Sequence, residues 1–79
     1  MRYEYNMPKL GHLMEEGAIE KWEKQVGDRV EKNEILMHVE TDKTVIEVEA
    51  PFSGTILEIL VPEGELVPVH TLLAIIDVD

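Results

Sequence analysis

Gly17-Ala18-Ile19 opens a stretch that returns 37 residues later as Gly54-Thr55-Ile56. The match continues without a gap. Gly27-Asp28-Arg29-Val30 becomes Gly64-Glu65-Leu66-Val67, Ile35-Leu36 becomes Leu72-Leu73, and Val39-Glu40 becomes Ile76-Asp77. An internal duplication at constant offset implies two similar supersecondary units that cover each other's apolar faces. Lys43 lies just past the first unit, in Glu40-Thr41-Asp42-Lys43-Thr44, and the same offset carried beyond Asp79 runs off the chain. One end of the molecule is therefore expected to carry a lysine-bearing turn, and the other the two chain ends.

Within each unit the pattern is that of strands. Residues 44–50 alternate, with Ile46, Val48 and Ala50 on one face and Val45, Glu47 and Glu49 on the other. Residues 35–41 alternate likewise, which places Ile35, Met37 and Val39 inward and Leu36, His38 and Glu40 outward. Residues 2–7, 18–22, 55–61 and 72–78 read as further strands, with short pieces at Arg29-Val30 and Leu66-Val67. Pro8, Gly11, Gly17, Gly27-Asp28, Asn33, Pro51, Gly54, Pro62, Gly64 and Pro68 punctuate them. Only 14–24 admits a helical reading, and Gly17 inside it weakens that reading by about 1 kcal/mol relative to Ala. Eight short strands with turns this frequent predict an all-β sandwich or flattened barrel.

The 79 residues make one domain, 1–79, with a modest core and no room for a deep, many-walled cleft. There is no cysteine, hence neither a disulfide nor a thiolate metal ligand. The net charge of −10 argues against a nucleic-acid partner, which calls for a basic footprint. No Lys or Arg follows Lys43. Such a surface is solvated and self-repelling, and it could also steer locally basic partners. Apolar runs such as 71–76 fall far below the roughly 20 residues needed to span a bilayer, and the N-terminus lacks a secretory apolar region. No membrane association is expected, and the reading is a soluble protein of a reducing compartment.

The two units differ in one place. Met7-Pro8 reaches Gly17 only after a long segment, 9–16, whereas Ala50-Pro51 reaches Gly54 almost at once. The first unit thus gains a surface loop containing Leu10, Gly11, His12, Leu13, Met14 and Glu15. Its apolar members are expected to tuck against the core, with an exposed contact patch as the alternative. Asp42-Lys43 reads as the central pair of a hairpin turn. Lacking the Gly or Asn that the primed turns prefer, it is expected to be type I. An uncovered ammonium is a poor nucleophile unaided, which argues against Schiff-base catalysis by Lys43. On its own it is only a solvated charge. His12, His38 and His70 are too scattered for a metal site, and no nucleophile triad or phosphate-binding loop is present. Trp22 is expected to pack in the core.

Taken together, Met7-Pro8-Lys9-Leu10-Gly11, Glu15-Glu16-Gly17, Val26-Gly27-Asp28-Arg29-Val30, Glu40-Thr41-Asp42-Lys43 and Gly54 resemble the lipoyl domain of the acyltransferase (E2) components of 2-oxo acid dehydrogenase complexes. The resemblance covers essentially the whole chain. It implies a flattened barrel of two four-stranded antiparallel sheets related by a pseudo-twofold axis. It also implies lipoic acid joined by a lipoate-attaching enzyme to the ε-amine of Lys43. In that family the dithiolane is reductively acylated at a decarboxylase (E1), passes its acyl group to coenzyme A at the E2 catalytic domain, and is reoxidised by a flavoprotein dihydrolipoyl dehydrogenase (E3). The domain itself would be a carrier without catalysis of its own.

The resemblance further implies roles for the neighbours of Lys43. Glu40 would help the attaching enzyme choose this lysine, and Thr41, Asp42 and Thr44 would form the turn that partners recognise. Leu10, Gly11, His12, Leu13, Met14 and Glu15 would help the cognate decarboxylase recognise its domain. Turn chemistry alone is the competing explanation for Glu40 and Asp42. Three positions depart from the family pattern: Thr44 stands where Ala often follows the lysine, and Asn33 and His70 stand where Gly is usual. Asn and His are both enriched at positive φ, so these turns are expected to survive. Rival readings are a biotin carrier, a glycine-cleavage carrier and an unmodified adaptor module. The first is marked by Met-Lys-Met at the tip instead of Asp42-Lys43-Thr44, and the second is longer. The chain reads as an excised domain of a longer polypeptide or a freestanding carrier. Its expected location is the cytoplasm of a bacterium or archaeon, or the mitochondrial matrix of a eukaryote. Its 2-oxo acid, or acetoin, is not encoded in any motif.

Overall fold

A computed structural model describes residues 1–79. Eight strands follow in order: β1 (Arg2–Asn6), β2 (Glu16–Trp22), β3 (Arg29–Val30), β4 (Ile35–Glu40), β5 (Val45–Glu49), β6 (Gly54–Ile59), β7 (Leu66–Pro68) and β8 (Leu72–Val78). The stretch with a helical reading is β2. One antiparallel sheet has the order β1-β8-β6-β3 and the other β5-β4-β2-β7. They face each other as separate sheets and do not close into a continuous barrel.

The duplication seen in the sequence governs the register. In the second sheet Ala18 pairs with Glu40, Ile19 with Val39, Lys21 with His38 and Trp22 with Met37. Adding 37 to each of these numbers gives the β6–β8 pairs Thr55–Asp77, Ile56–Ile76, Glu58–Ile75 and Ile59–Ala74. The short strands are exchanged: β3 of the first unit pairs with β6 of the second, and β7 of the second pairs with β2 of the first. Each unit therefore lacks an edge that only its twin supplies.

The turns obey the same symmetry for a backbone reason. Gly27 and Gly64 have φ of 93° and 89°, in the left-handed region where only a residue without Cβ is unstrained. Their N–H groups donate to the carbonyls of Ile56 and Ile19, at 2.8 and 2.7 Å. Asn33 and His70 also take positive φ, 72° and 74°, and donate to Ala50 and Met7, both at 2.9 Å. The two departures from Gly keep the turn geometry that Gly would have served.

The core lies between the sheets. Met7, Ile19, Val30, Leu36, Met37, Val39, Leu73 and Ala74 are all fully buried. Trp22 is buried as expected, and its indole N–H donates to the Val61 carbonyl at 2.9 Å. Strict alternation along β4 fails at one residue. Leu36, expected to point outward, is 0% exposed, whereas Ile35 is only partly buried. A β-bulge between Ile35 and Met37 shifts the register, so that adjacent side chains Leu36 and Met37 both enter the core. The twin bulge in β8 does the same for Leu73 and Ala74.

Candidate functional site

β4 and β5 form a hairpin because their alternating apolar residues share the core, and Val39–Ile46 and Glu40–Val45 are its last paired positions. The chain reverses through Thr41, Asp42, Lys43 and Thr44. Neither Asp42 nor Lys43 has a positive φ, which excludes the primed turns and type II. Thr41 N–H donates to the Thr44 carbonyl at 2.7 Å. The return bond departs from a simple type I turn: Thr44 N–H reaches the Thr41 hydroxyl oxygen at 3.3 Å instead of the Thr41 carbonyl. The same hydroxyl donates to the Thr44 carbonyl at 3.0 Å.

Asp42, Lys43 and Thr44 are exposed, as is Glu40 at the end of β4, while Thr41 is half-buried beneath them. None of the six ion pairs in the molecule includes Lys43. Its ammonium stands free at the tip.

The symmetry mate of this hairpin is the gap between the chain ends. Val78, the equivalent of Thr41, donates its N–H to the Met1 carbonyl at 2.6 Å, just as Thr41 does to Thr44. The Met1 ammonium donates back to the Val78 carbonyl at 2.8 Å. A single lysine-bearing tip follows, as the duplication predicts.

The loop before β2 comes alongside the hairpin. Met14 anchors it: its N–H donates to the Gly11 carbonyl at 3.1 Å, and its sulfur accepts from Leu10 N–H at 3.2 Å. The Met14 methyl rests over Gly17, where a Cβ would lie only 2.8 Å away. Leu10 and Met14 thus pack against the core, but Leu13 is 87% exposed. The loop's apolar residues split between the two expected fates.

Between loop and hairpin lies an open groove of about 650 Å³. Gly11, Leu13, Met14 and Glu15 line one wall, and Glu40, Thr41, Asp42, Lys43 and Thr44 line the other. Leu10 and His12 belong to the loop without lining the groove. Sequence reasoning missed its floor, to which Ala18, Ile46 and Leu66 contribute. Leu66 carries a detectable signal: it is an exposed apolar residue where the twin position holds Arg29. Four carboxylates, Glu15, Glu16, Glu40 and Asp42, surround the single cation Lys43. The hairpin tip is one wall of this groove. It presents one amine on a rigid support, in acidic surroundings.

The fold and this tip define a class of two-sheet sandwich domain that displays one exposed, unpaired lysine on a hairpin at one end. Comparison with known proteins makes the class specific. The biotin/lipoyl family, whose description is "Biotin-requiring enzyme", matches residues 4–76. The chain is 48% identical over 65 residues to the dihydrolipoyllysine-residue acetyltransferase component of the acetoin cleaving system of Bacillus subtilis, covering 82% of this chain and 16% of that protein. It is 39% identical over 77 residues to the corresponding component of the pyruvate dehydrogenase complex of Staphylococcus epidermidis, covering 98% of this chain and 18% of the relative. Among solved structures, the lipoyl domain of the 2-oxoglutarate dehydrogenase complex from Azotobacter vinelandii superimposes with a TM-score of 0.78 at 32% identity, covering 94% of both chains. The chain belongs to the biotin/lipoyl domain family. It spans less than a fifth of the length of the curated relatives it matches.

Proposed function

We propose that the chain is a lipoyl carrier domain, with lipoate joined as an amide to Lys43, serving a 2-oxo acid or acetoin dehydrogenase complex. The observation that carries this reading is the unpaired, exposed amine at the hairpin tip, the one tip the duplicated fold provides. The residues fit the group: no neighbouring side chain ties up the amine, and nothing walls in an arm built on it. The tip Asp42-Lys43-Thr44 differs from the Met-Lys-Met of biotin carriers, which favours lipoate within a family that includes both. The relatives' own names, as dihydrolipoyllysine acetyltransferase components, support the same choice.

When bound, the dithiolane supplies the disulfide redox and acyl-carrying chemistry. The domain's residues supply attachment, presentation and recognition. Attachment turns an ammonium into a neutral amide, which leaves Glu15, Glu16, Glu40 and Asp42 as an acidic surround that suits basic entrances on partner enzymes. Tethering holds the cofactor near each partner at about mM effective concentration. Glu40 and Asp42 guide the attaching enzyme and the decarboxylase to the tip, and Leu13, Met14 and Glu15 identify the domain to its own decarboxylase. The E2 catalytic domain and the E3 flavoprotein complete the set of partners.

The test is intact mass after separate incubations with a lipoate ligase, lipoate and ATP, and with a biotin ligase, biotin and ATP. A lipoyl-sized increase that is absent in Lys43→Gln is expected. A biotin-sized increase alone would make the domain a biotin carrier. No increase, where a control domain is modified, would make it an adaptor.

A further inference from the structure

The two ends of the duplicated fold close differently, and the difference falls on one hydroxyl. At the chain ends, Val78 and Met1 exchange two main-chain bonds, Val78 N–H to Met1 O at 2.6 Å and Met1 N to Val78 O at 2.8 Å. At the hairpin, the first of these bonds recurs between Thr41 and Thr44 at 2.7 Å. The second does not. Its donor, Thr44 N–H, is taken by Thr41 Oγ1 at 3.3 Å, and that hydroxyl donates in turn to the Thr44 carbonyl at 3.0 Å. Both main-chain groups of Thr44 are thereby held by residue 41, one of them solely through a side chain. A hydroxyl interposed where a carbonyl would serve widens the ring that spans Asp42 and Lys43. The lysine's direction then depends on that hydroxyl.

We infer that Thr41 is the positioning residue for lipoate attachment: its hydroxyl clasps Thr44 and aims Lys43 at the attaching enzyme. This rests on the carrier reading above. During attachment the deprotonated Lys43 amine attacks the ATP-activated lipoate carboxyl. The Nζ–carbon bond forms, the carbonyl–phosphate bond breaks, AMP leaves, and the nitrogen gives up a proton. Thr41 touches none of these atoms and acts only through the orientation of the tip. At the equivalent position, 78, the side chain is Val, and the bond between the chain ends is made by its carbonyl, which accepts from the Met1 ammonium. Thr41→Val should therefore let Thr44 N–H return to the carbonyl of residue 41, giving a stable hairpin whose lysine points elsewhere.

The experiment compares wild type, Thr41→Val and Thr41→Ser with a lipoate ligase, lipoate and ATP, alongside amide NMR spectra of each unmodified domain. For Thr41→Val, kcat/KM for attachment should fall about tenfold or more, the effect of a misdirected nucleophile. Its NMR shifts should be confined to 41–45. Thr41→Ser keeps the hydroxyl and should recover most of the rate. Equal rates for wild type and Thr41→Val would overturn the clasp while leaving the carrier reading intact. A Thr41→Ser as slow as Thr41→Val would also overturn it, by tracing the effect to side-chain bulk. A wild-type domain that is never modified would overturn the carrier reading, and this role with it.

Discussion

Gly54 and Asp77 approach so closely across the β6–β8 pair that a Cβ on Gly54 would lie 2.4 Å from the Asp77 carbonyl oxygen. The twin glycine is less confined. A Cβ on Gly17 would meet the ends of side chains first, Met14 Cε at 2.8 Å and Val39 Cγ1 at 2.9 Å. A backbone carbonyl held in a sheet yields far less readily than a methionine methyl. Gly54→Ala should destabilise the domain by about 3 kcal/mol and Gly17→Ala by about 1 kcal/mol. Urea midpoints of the two variants measure the difference, and equal losses would contradict the asymmetry.

Burial of Tyr5, helped by its neighbour Tyr3, pushes its phenol pKa up from 10.0 to about 12. The native state thus keeps a proton that the unfolded chain has already released. The stabilising difference is complete below pH ~10 and is lost as pH rises from there toward ~12, about 2 kcal/mol in all. Denaturation followed between pH 8 and 12 should show this decline. Tyr5→Phe, with no proton to lose, should flatten it, and an unchanged slope would place the effect elsewhere.

Asn33 and His70 hold φ of 72° and 74° without being glycine. A β-branched side chain fits that region poorly, so Asn33→Val and His70→Val should each lower stability by about 1–2 kcal/mol, whereas Gly should be accepted at either site. Thermal melts of the four variants provide the check. A harmless Val at both positions would mean the backbone there is not left-handed.

Val39 and Lys43 stand four residues apart at opposite extremes of burial. Val39 is 0% exposed, and Val39→Asp would leave an unpaired carboxylate in the core. A domain of this size has about 4–12 kcal/mol of total stability, too little to absorb that penalty. Val39→Asp should therefore be unfolded by circular dichroism at neutral pH. Lys43→Ala should melt within about 0.5 kcal/mol of wild type, as a surface change does. Comparable losses in the two would contradict an exposed tip.

The positions of the strands and turns and the likeness of the two units could be read in advance because the duplication is marked by residues with backbone duties. Gly27 and Gly64, and Asn33 and His70, recur at the same offset because the chain must turn through positive φ at both places. The bulges carried no such mark. An extra residue in a strand changes neither composition nor spacing, so simple alternation put Leu36 on the wrong face. In the loop, Leu10, Leu13 and Met14 looked alike. Met14 is seated over Gly17, where no side chain stands in its way, and Leu13 is left in water. The lysine tip was legible from local sequence. The groove beside it was not, because Leu66 reaches it through the exchange of β7 onto β2, a contact between distant parts of the chain. The Thr41 hydroxyl bond was equally hidden, since a threonine before a turn has several local partners.

The most direct measurement is peptide mapping by mass spectrometry of the domain after treatment with a lipoate ligase, lipoate and ATP. The chain offers Lys9, Lys21, Lys24 and Lys32 as competitors to Lys43. Modification on Lys43 alone is predicted, since it is the lysine carried at the hairpin tip. Lipoyl groups spread over the other lysines, or a Lys43 peptide that stays unmodified while they react, would contradict the account.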